Sequence, residues 1–153
     1  MSDRTTHVTV GVGVGALAAY CASHDQLDSQ RSLEVLGGCL GGYWGARLPD
    51  VIDPATRPDH RDIGHGALTA AGVGLVCWRN LSVQQQGLRA RADSLHLKAT
   101  FARDSFSKLL WQLGECALRV SAGALPALMA GYASHLVLDS TTPMGIPLIR
   151  RGF

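Results

Sequence analysis

The sequence predicts an all-α protein with a single domain over residues 1–153, built as an antiparallel bundle of four apolar helices plus an amphipathic connector helix. The chain is 46% hydrophobic but only 6% aromatic. Much of its apolar content is Ala, Gly, Leu and Val, which suits packed helices better than a sandwich or a barrel. The low charged fraction of 17% and the net charge of +2 exclude a disordered chain and a nucleic-acid binder that depends on a large positive field.

The first predicted helix lies in a run from Thr5 to Ser23 that contains no Asp, Glu, Lys or Arg. Its Ala, Gly and Val residues make the helix apolar on nearly all sides, so it is expected to be buried in protein or in lipid. The apolar stretch 8–22 is also similar to a signal peptide, but it lacks a convincing small-x-small cleavage site. We therefore expect this helix to be part of the fold.

Three further apolar segments cover residues 33–48, 63–78 and 120–138. Each segment is about 16 to 19 residues long, at or just below the length of about 20 that spans the hydrocarbon core of a bilayer. Membrane insertion is therefore compatible with the sequence without being required by it. Glu34 falls in the predicted first turn of the second helix, where the helix dipole favours an acidic side chain.

A polar, mildly basic connector covers residues 79–115, and its second half has apolar residues at helical spacing. These are Phe101, Phe106, Leu109, Leu110 and Leu113. The spacing predicts an amphipathic helix. Two arrangements are open: the helix covers the core of the bundle with its other face in solvent, or it docks on a membrane surface.

The four cysteines, Cys21, Cys39, Cys77 and Cys116, are widely spaced, form no C-x-x-C pair and lie in apolar stretches. This pattern argues against a zinc knuckle and against a disulfide scaffold. We expect buried free thiols.

Ionisable residues interrupt the apolar segments at three places, where burial is costly unless they are paired or bind metal. His7 precedes the first apolar run. The second place holds Asp50 and Asp53 next to Pro49 and Pro54, followed by a short block that contains His60, Arg61 and His65. The two prolines are expected to interrupt the helix, so that both carboxylates can turn toward one point.

The third place contains His135 and Asp139, which are four residues apart and therefore share one face of the fourth helix. Such a pair suits two ligands of one metal ion, and it also occurs as a surface hydrogen-bonded pair. In an up-and-down bundle, all three places fall at the same end. The mixed N/O set suits zinc or a comparable divalent ion. The predicted ligands are His7, Asp50, Asp53, His60, His65, His135 and Asp139.

Seven ligands exceed the need of one tetrahedral ion, so one or two ions are expected, with Asp50 as the first choice for a bridging carboxylate. Asp53 is the candidate general base that orients a metal-activated water. Arg61 could neutralise a phosphate or form a structural ion pair with Asp59 or Asp62. Phosphoester hydrolysis is the reaction that these groups suit best.

At these positions the chain resembles the YdjM-like family of metal-dependent hydrolases, described as inner-membrane associated and related to zinc-dependent phospholipase C and fungal single-strand nucleases. The resemblance rests on His7 and on residues 48–54, 58–65 and 131–147. It implies an all-helical fold, a hydrolase-type metal centre and a location at the bacterial inner membrane. One departure is Gly66, where the family commonly has Ser, so a hydroxyl that could orient a ligand or water is missing.

The expected function is therefore that of a membrane-associated hydrolase acting on lipid or small phosphoesters. Nucleic acid ranks lower as a substrate, because only Tyr43, Trp44 and Tyr132 could offer stacking surfaces near the site. The alternatives are a metal-dependent nuclease and a non-catalytic membrane or assembly protein with a structural metal site. A cytoplasmic bundle or homo-oligomer that buries the apolar helices is the alternative to a membrane location.

Overall fold

The computed structural model describes the backbone of residues 4–52 and 67–141, and the side chains of residues 5–52 and 80–141. Within these ranges the chain forms four helices and no strand, which confirms the predicted all-α fold class. The helices are α1 (Arg4–Ala22), α2 (Asp28–Ile52), α3 (Ala67–Phe101) and α4 (Ser105–Ser140).

The helices alternate in direction, so α2 and α4 run parallel to each other. Gly37 of α2 packs against Val120 of α4, and Gly45 packs further along against Leu128. Helix α1 packs against both α2 and α4, while α3 packs against α4. The start of α1 and the ends of α2 and α4 therefore meet at one end of the bundle, as the up-and-down topology predicts.

Glycine and alanine line the interface between the helices. A Cβ atom on Gly41 would overlap the backbone carbonyl of Ala124 in α4, and one on Gly42 would overlap the carbonyl of Gly11 in α1. Helix α2 is therefore in direct backbone contact with both neighbours. Small residues at such contacts are typical of helices that associate in membranes, where close van der Waals packing replaces the hydrophobic driving force.

The large apolar side chains lie mostly on the outside of the bundle. Helix α1, over Thr5–Ala22, and helix α4 are long and apolar enough to cross a membrane, by length and composition. Only 22% of the α1 segment is buried inside the structure, so α1 is not an enclosed core helix. Exposed apolar side chains on this scale mark a surface that contacts lipid or a partner.

The predicted amphipathic segment is helical, but it is not a separate helix. Its first part completes α3, and its second part begins α4 after a break at residues 102–104. Asp104 caps α4 by accepting a hydrogen bond of 2.7 Å from the Ser107 amide. Phe101 is 79% exposed and Phe106 is 73% exposed. The arrangement in which this apolar face covers the core is therefore wrong.

Prolines occur inside two helices, and the expectation that Pro49 interrupts α2 is wrong. Helix α2 continues through Pro49 to Ile52. A proline removes one hydrogen bond to the carbonyl four residues earlier, and so close to the helix end few later bonds depend on it. In α4, Pro126 leaves the Ala122 carbonyl without its helical donor, and Gln85 Nε2 of α3 donates to that carbonyl at 3.0 Å. Pro54 lies outside the described residues.

The cysteines that the structure describes are free, but they are less buried than the sequence suggests. Cys21 is exposed, and Cys39 and Cys116 are half-buried. Cys21 lies on α1, most of which faces outward, so an apolar sequence context did not imply a position inside the bundle. The side chain of Cys77 lies outside the described residues.

Candidate metal centre

Three helices bring four of the predicted ligands to one end of the bundle. His7 lies in the first turn of α1, Asp50 in the last turn of α2, and His135 and Asp139 near the end of α4. His7, His135 and Asp139 are buried, with exposed fractions of 5%, 2% and 3%. Asp50 lies at the edge of this cluster, with a side chain that is 41% exposed.

The remaining site candidates fall between α2 and α3, in a part of the chain that the structure does not describe. Their roles as ligands, general base or phosphate-binding group therefore stay predictions from the sequence. These residues are Asp53, His60, Arg61 and His65.

The two imidazoles face the two oxygens of one carboxylate. His7 Nε2 lies 3.5 Å from Asp139 Oδ1, and His135 Nε2 lies 3.5 Å from Asp139 Oδ2. One ligand atom from each of these three residues can be chosen so that all lie within 4.8 Å of one another. His135 Nε2 is also 3.6 Å from Asp50 Oδ1. Asp139, rather than Asp50, is thus the carboxylate between the two histidines.

The distances between the ring nitrogens and the carboxylate oxygens can be compared with the length of a hydrogen bond and with the spacing of two ligands on one metal ion. A hydrogen bond between a ring nitrogen and a carboxylate oxygen measures about 2.7–3.2 Å. Two ligands that each lie about 2.1 Å from a tetrahedral zinc ion are about 3.4 Å apart. The nitrogen-to-oxygen distances of 3.5 and 3.6 Å are close to the second value, and the ligand atoms of His7, His135 and Asp139 lie within 4.8 Å of one another, a spacing compatible with one bound ion.

A backbone contact fixes the orientation of His135. Its Nδ1 lies 2.6 Å from the Ala46 carbonyl oxygen, and because a carbonyl can only accept, Nδ1 carries the proton. In the neutral tautomer that this contact selects, the Nε2 lone pair faces the Asp50 and Asp139 carboxylates. A histidine that donates its second ring nitrogen to a carbonyl is the usual arrangement around metal ions, since it sets both the tautomer and the ring plane.

Small residues allow the contact between His135 and the Ala46 carbonyl to form. Gly131 lies one helical turn before His135, and a Cβ atom there would meet the backbone of Gly42 and Ala46. The absence of that Cβ lets α4 approach α2 closely enough for the imidazole to reach the carbonyl. The rings of His7 and His135 then lie with their centroids 4.0 Å apart and their planes inclined by 30°. The glycines of the sequence therefore contribute directly to the geometry of the site.

A second buried polar cluster, which the sequence analysis did not find, lies at the other end of the bundle. Arg89 donates to both carboxylate oxygens of Glu34, at 3.0 and 2.6 Å. Arg119 lies 3.8 Å from Glu34 and also donates to Asp93 and to Gln26. Glu34 and Arg119 are completely buried. We call these five residues the charge network.

The charge network corrects the interpretation of Glu34 as an acid that interacts with the helix dipole. Helix α2 begins at Asp28, so Glu34 lies beyond the first turn and is stabilised by Arg89 instead. One sequence signal could have indicated the network: Gln85, Arg89 and Asp93 recur every four residues, which places them on one face of α3. That face contacts α4.

Comparison with known proteins agrees with the helical architecture and with the outward-facing apolar surface. No curated protein and no solved structure is significantly similar to the chain. Residues 1–150 match the family model described as YdjM inner membrane protein. This range includes both buried polar clusters and all four helices. The chain therefore belongs to the YdjM inner membrane protein family.

Proposed function

We propose that this chain is a membrane-associated, metal-dependent hydrolase of the phosphoesterase type, acting on lipid or small phosphoesters. The observation that supports it most is the spacing of His7, His135 and Asp139. These three residues are buried, lie on two different helices and offer ligand atoms within 4.8 Å of one another. Membrane association follows the family membership and the two apolar helices.

The donor set favours zinc or a comparable divalent ion, with one or two ions bound. Two imidazole nitrogens and a carboxylate are the protein ligands of many catalytic zinc sites, which keep a further position for water or substrate. Asp50, at 3.6 Å from His135 and 41% exposed, lies on the side where the cluster meets solvent. The cluster is therefore approachable from the Asp50 side.

The residues of this chain would divide the work of hydrolysis between them. The Ala46 carbonyl holds His135 in position, and His7, His135 and Asp139 would hold the ion, which would lower the pKa of a water molecule to about 7 and polarise a phosphoryl oxygen. That water would add to phosphorus after giving one proton to a base, one P–O ester bond would break, and the leaving alcohol would take up that proton from the base. Asp53 is the proposed base that accepts the proton of the water, and Arg61 a proposed partner of the phosphate.

A structural metal site is the second candidate, and the burial of its ligands favours it. An ion bound by His7 of α1 and by His135 and Asp139 of α4 would tie two helices together without any reaction. In that case the chain would be a non-catalytic membrane or assembly protein. The two candidates share the metal and differ only in hydrolysis.

The experiment that tests the proposal measures metal content and hydrolysis on the same preparation. The full chain, purified in detergent, is analysed by elemental mass spectrometry and assayed with bis(p-nitrophenyl) phosphate and with phosphatidylglycerol micelles. We expect His135→Ala and Asp139→Ala to lose both bound metal and hydrolysis. His96→Ala is the matched control, because His96 is an exposed histidine that pairs with Glu115 away from the cluster.

Asp53→Asn distinguishes a base from a ligand. If Asp53 acts as the general base, the amide retains the metal and lowers the rate of hydrolysis by about 100-fold or more. Equal loss of metal in the Asp53 and His135 variants would make Asp53 a ligand. Full metal occupancy in the His135 and Asp139 variants would contradict the metal centre, and bound metal without hydrolysis of either substrate would favour the structural site.

A further inference from the structure

Arg47 lies beside the candidate metal centre on α2. It follows Ala46, whose carbonyl holds His135, and it precedes Asp50 by three residues, which is about 5 Å along the helix axis. Its Nη1 donates to the Tyr43 hydroxyl at 2.5 Å. Its guanidinium carbon lies 5.3 Å from the centre of the Tyr43 ring and 5.6 Å from that of Trp44.

Arg47 differs from the arginines of the charge network. Arg89 and Arg119 each contact carboxylates, whereas Arg47 contacts two aromatic rings and a hydroxyl, with no carboxylate within ion-pair distance in the described part of the chain. Its Nε is buried and has no hydrogen-bond acceptor there, a property that it shares with Arg119 Nε; the difference lies in the missing carboxylate. A guanidinium with unused donors and no counter-charge suits an anion, and its planar fork matches the oxygens of a phosphate.

The surroundings of Arg47 favour a lipid over a soluble phosphoester. Leu36, Leu40, Trp44 and Val51 are all 49–61% exposed and recur at helical spacing along the outer face of α2. This stripe extends over about 22 Å of the helix and reaches past Arg47 to the level of Asp50. Acyl chains can lie along the stripe while the headgroup is at Arg47. In membrane proteins generally, Trp and Tyr side chains are enriched where the membrane meets water, which is the level of the lipid headgroups.

We infer that Arg47 binds the phosphate of a phospholipid headgroup beside the metal centre, with Tyr43 and Trp44 holding its guanidinium in place. The inference rests on the proposed function, because it assigns the substrate class of that same site. It makes Arg47 a specificity-determining residue: it selects a lipid with a phosphate over one without, on the same helix that carries Asp50.

Binding is tested on metal-free protein, so that the result does not depend on hydrolysis. The full chain in detergent is treated with a chelator and titrated with fluorescent phosphatidylglycerol and with fluorescent diacylglycerol, which has the same chains and no phosphate. We expect the wild type to prefer phosphatidylglycerol by about tenfold or more, and Arg47→Met to lose this preference. Arg91→Met is the matched control, because Arg91 is exposed on α3. Arg47→Lys should retain part of the preference, since it keeps the charge and loses the fork.

Two results would overturn the inference. If the wild type and Arg47→Met have the same preference between the two lipids and the same thermal unfolding, Arg47 does not contact the phosphate. Displacement of phosphatidylglycerol by an equal concentration of glycerol phosphate would mean that the ligand is a free phosphoester. If binding depends on Arg47 but the loaded wild type hydrolyses no phosphoester, the proposed function fails while the phosphate site stands.

If the protein hydrolyses phosphatidylglycerol, KM and kcat for this lipid give a second test. We expect Arg47→Met to raise KM for phosphatidylglycerol by about tenfold and to change kcat less, with metal content unaltered, because the lost contact binds the substrate and not the ion. A fall in metal content that parallels the loss of activity would instead make Arg47 a structural support of the centre.

Discussion

The two buried polar clusters, one at each end of the bundle, differ in the length of their contacts. In the charge network, Arg89 and Glu34 are joined by hydrogen bonds of 2.6 and 3.0 Å. In the candidate metal centre, the nitrogens of His7 and His135 lie 3.5 Å from the Asp139 oxygens. The charge network is held by direct hydrogen bonds between its own side chains, and Arg119 Nε is buried without an acceptor among the described residues. The nitrogen-to-oxygen distances in the other cluster are longer.

The chemistry of the side chains differs in the same way. Arginine stays charged at all accessible pH values and binds no metal cation, so the charge network can only pair its own groups. Imidazole and carboxylate are metal ligands. Burial of a polar group in this fold therefore does not by itself indicate a metal site, and of these two clusters only that of His7, His135 and Asp139 brings together three side chains that can bind a metal ion.

The largest expected effect comes from breaking the charge network. Arg119→Met leaves Asp93 and the buried Glu34 with one cation fewer, and removing one partner of a buried ion pair costs about 3–5 kcal/mol. We expect a large fall in the midpoint of thermal unfolding in detergent, with or without added metal. Arg91→Met should unfold like the wild type. Unchanged stability of the Arg119 variant would show that the network does not support the fold.

Metal should stabilise the fold only through the other cluster. For an ion at 100 times its Kd, binding to the folded state adds about 2.7 kcal/mol. We therefore expect zinc to raise the unfolding midpoint of the wild type and of Arg91→Met, and a chelator to reverse this. His7→Ala and Asp139→Asn should show no zinc-dependent shift. A shift that persists in both variants would place the ion elsewhere.

A smaller effect is expected from the glycines that support the site. Gly42→Ala places a methyl group against the Gly11 carbonyl of α1, and overpacking of this kind costs about 1–3 kcal/mol. Because the nearest atoms to this methyl group, from Gly11 and Gly15, all belong to α1, the change should push α1 away from α2, displace His7 from the cluster and weaken zinc binding. Gly13→Ala is the control, since a Cβ there meets nothing within 4 Å. Equal zinc affinity in both variants would uncouple the packing from the metal centre.

The smallest effect concerns the cap of α4, away from both clusters. The hydrogen bond from the Ser107 amide lowers the pKa of the Asp104 carboxyl below its usual value of 3.8. The charged cap therefore stabilises the fold above pH 3.8, and this contribution is lost as the pH falls through the lowered pKa. Asp104→Ala should lower the unfolding midpoint by a few degrees at pH 7 and by less in strong acid. Asp104→Asn, a neutral cap, should show no such pH dependence.

Local spacing and alternation were sufficient to predict much of the site. The four-residue interval between His135 and Asp139 places both on one face of a helix, and the up-and-down order of the helices brings His7 and Asp50 to the same end. Both inferences need only the helical period and the order of the segments. The packing contact between Ala46 and His135 needs the distance between two helix backbones, which Gly131 and Gly42 set.

The four-residue recurrence on α3 indicates a polar face, but the partners within the charge network could not be predicted, for a different reason. Glu34 and Arg89 are 55 residues apart, and nothing local in either segment identifies the other as its partner. Pro49 is a second case, because the expectation that a proline breaks a helix took no account of its position near the end of α2. Sequence periodicity thus predicts which face a residue occupies, while its partner depends on how the faces pack.

The contact between Gln85 and the Ala122 carbonyl has a consequence for how this protein can change over time. Pro126 removes the helical donor of that carbonyl. Gln85 is therefore needed because Pro126 is present, and Pro126 is tolerated because Gln85 is present. A chain that replaced Pro126 by alanine would regain the helical hydrogen bond and release Gln85 to vary. A chain that lost Gln85 first would bury an unsatisfied carbonyl. Positions 85 and 126 are therefore expected to covary among related sequences, with the proline lost before the glutamine.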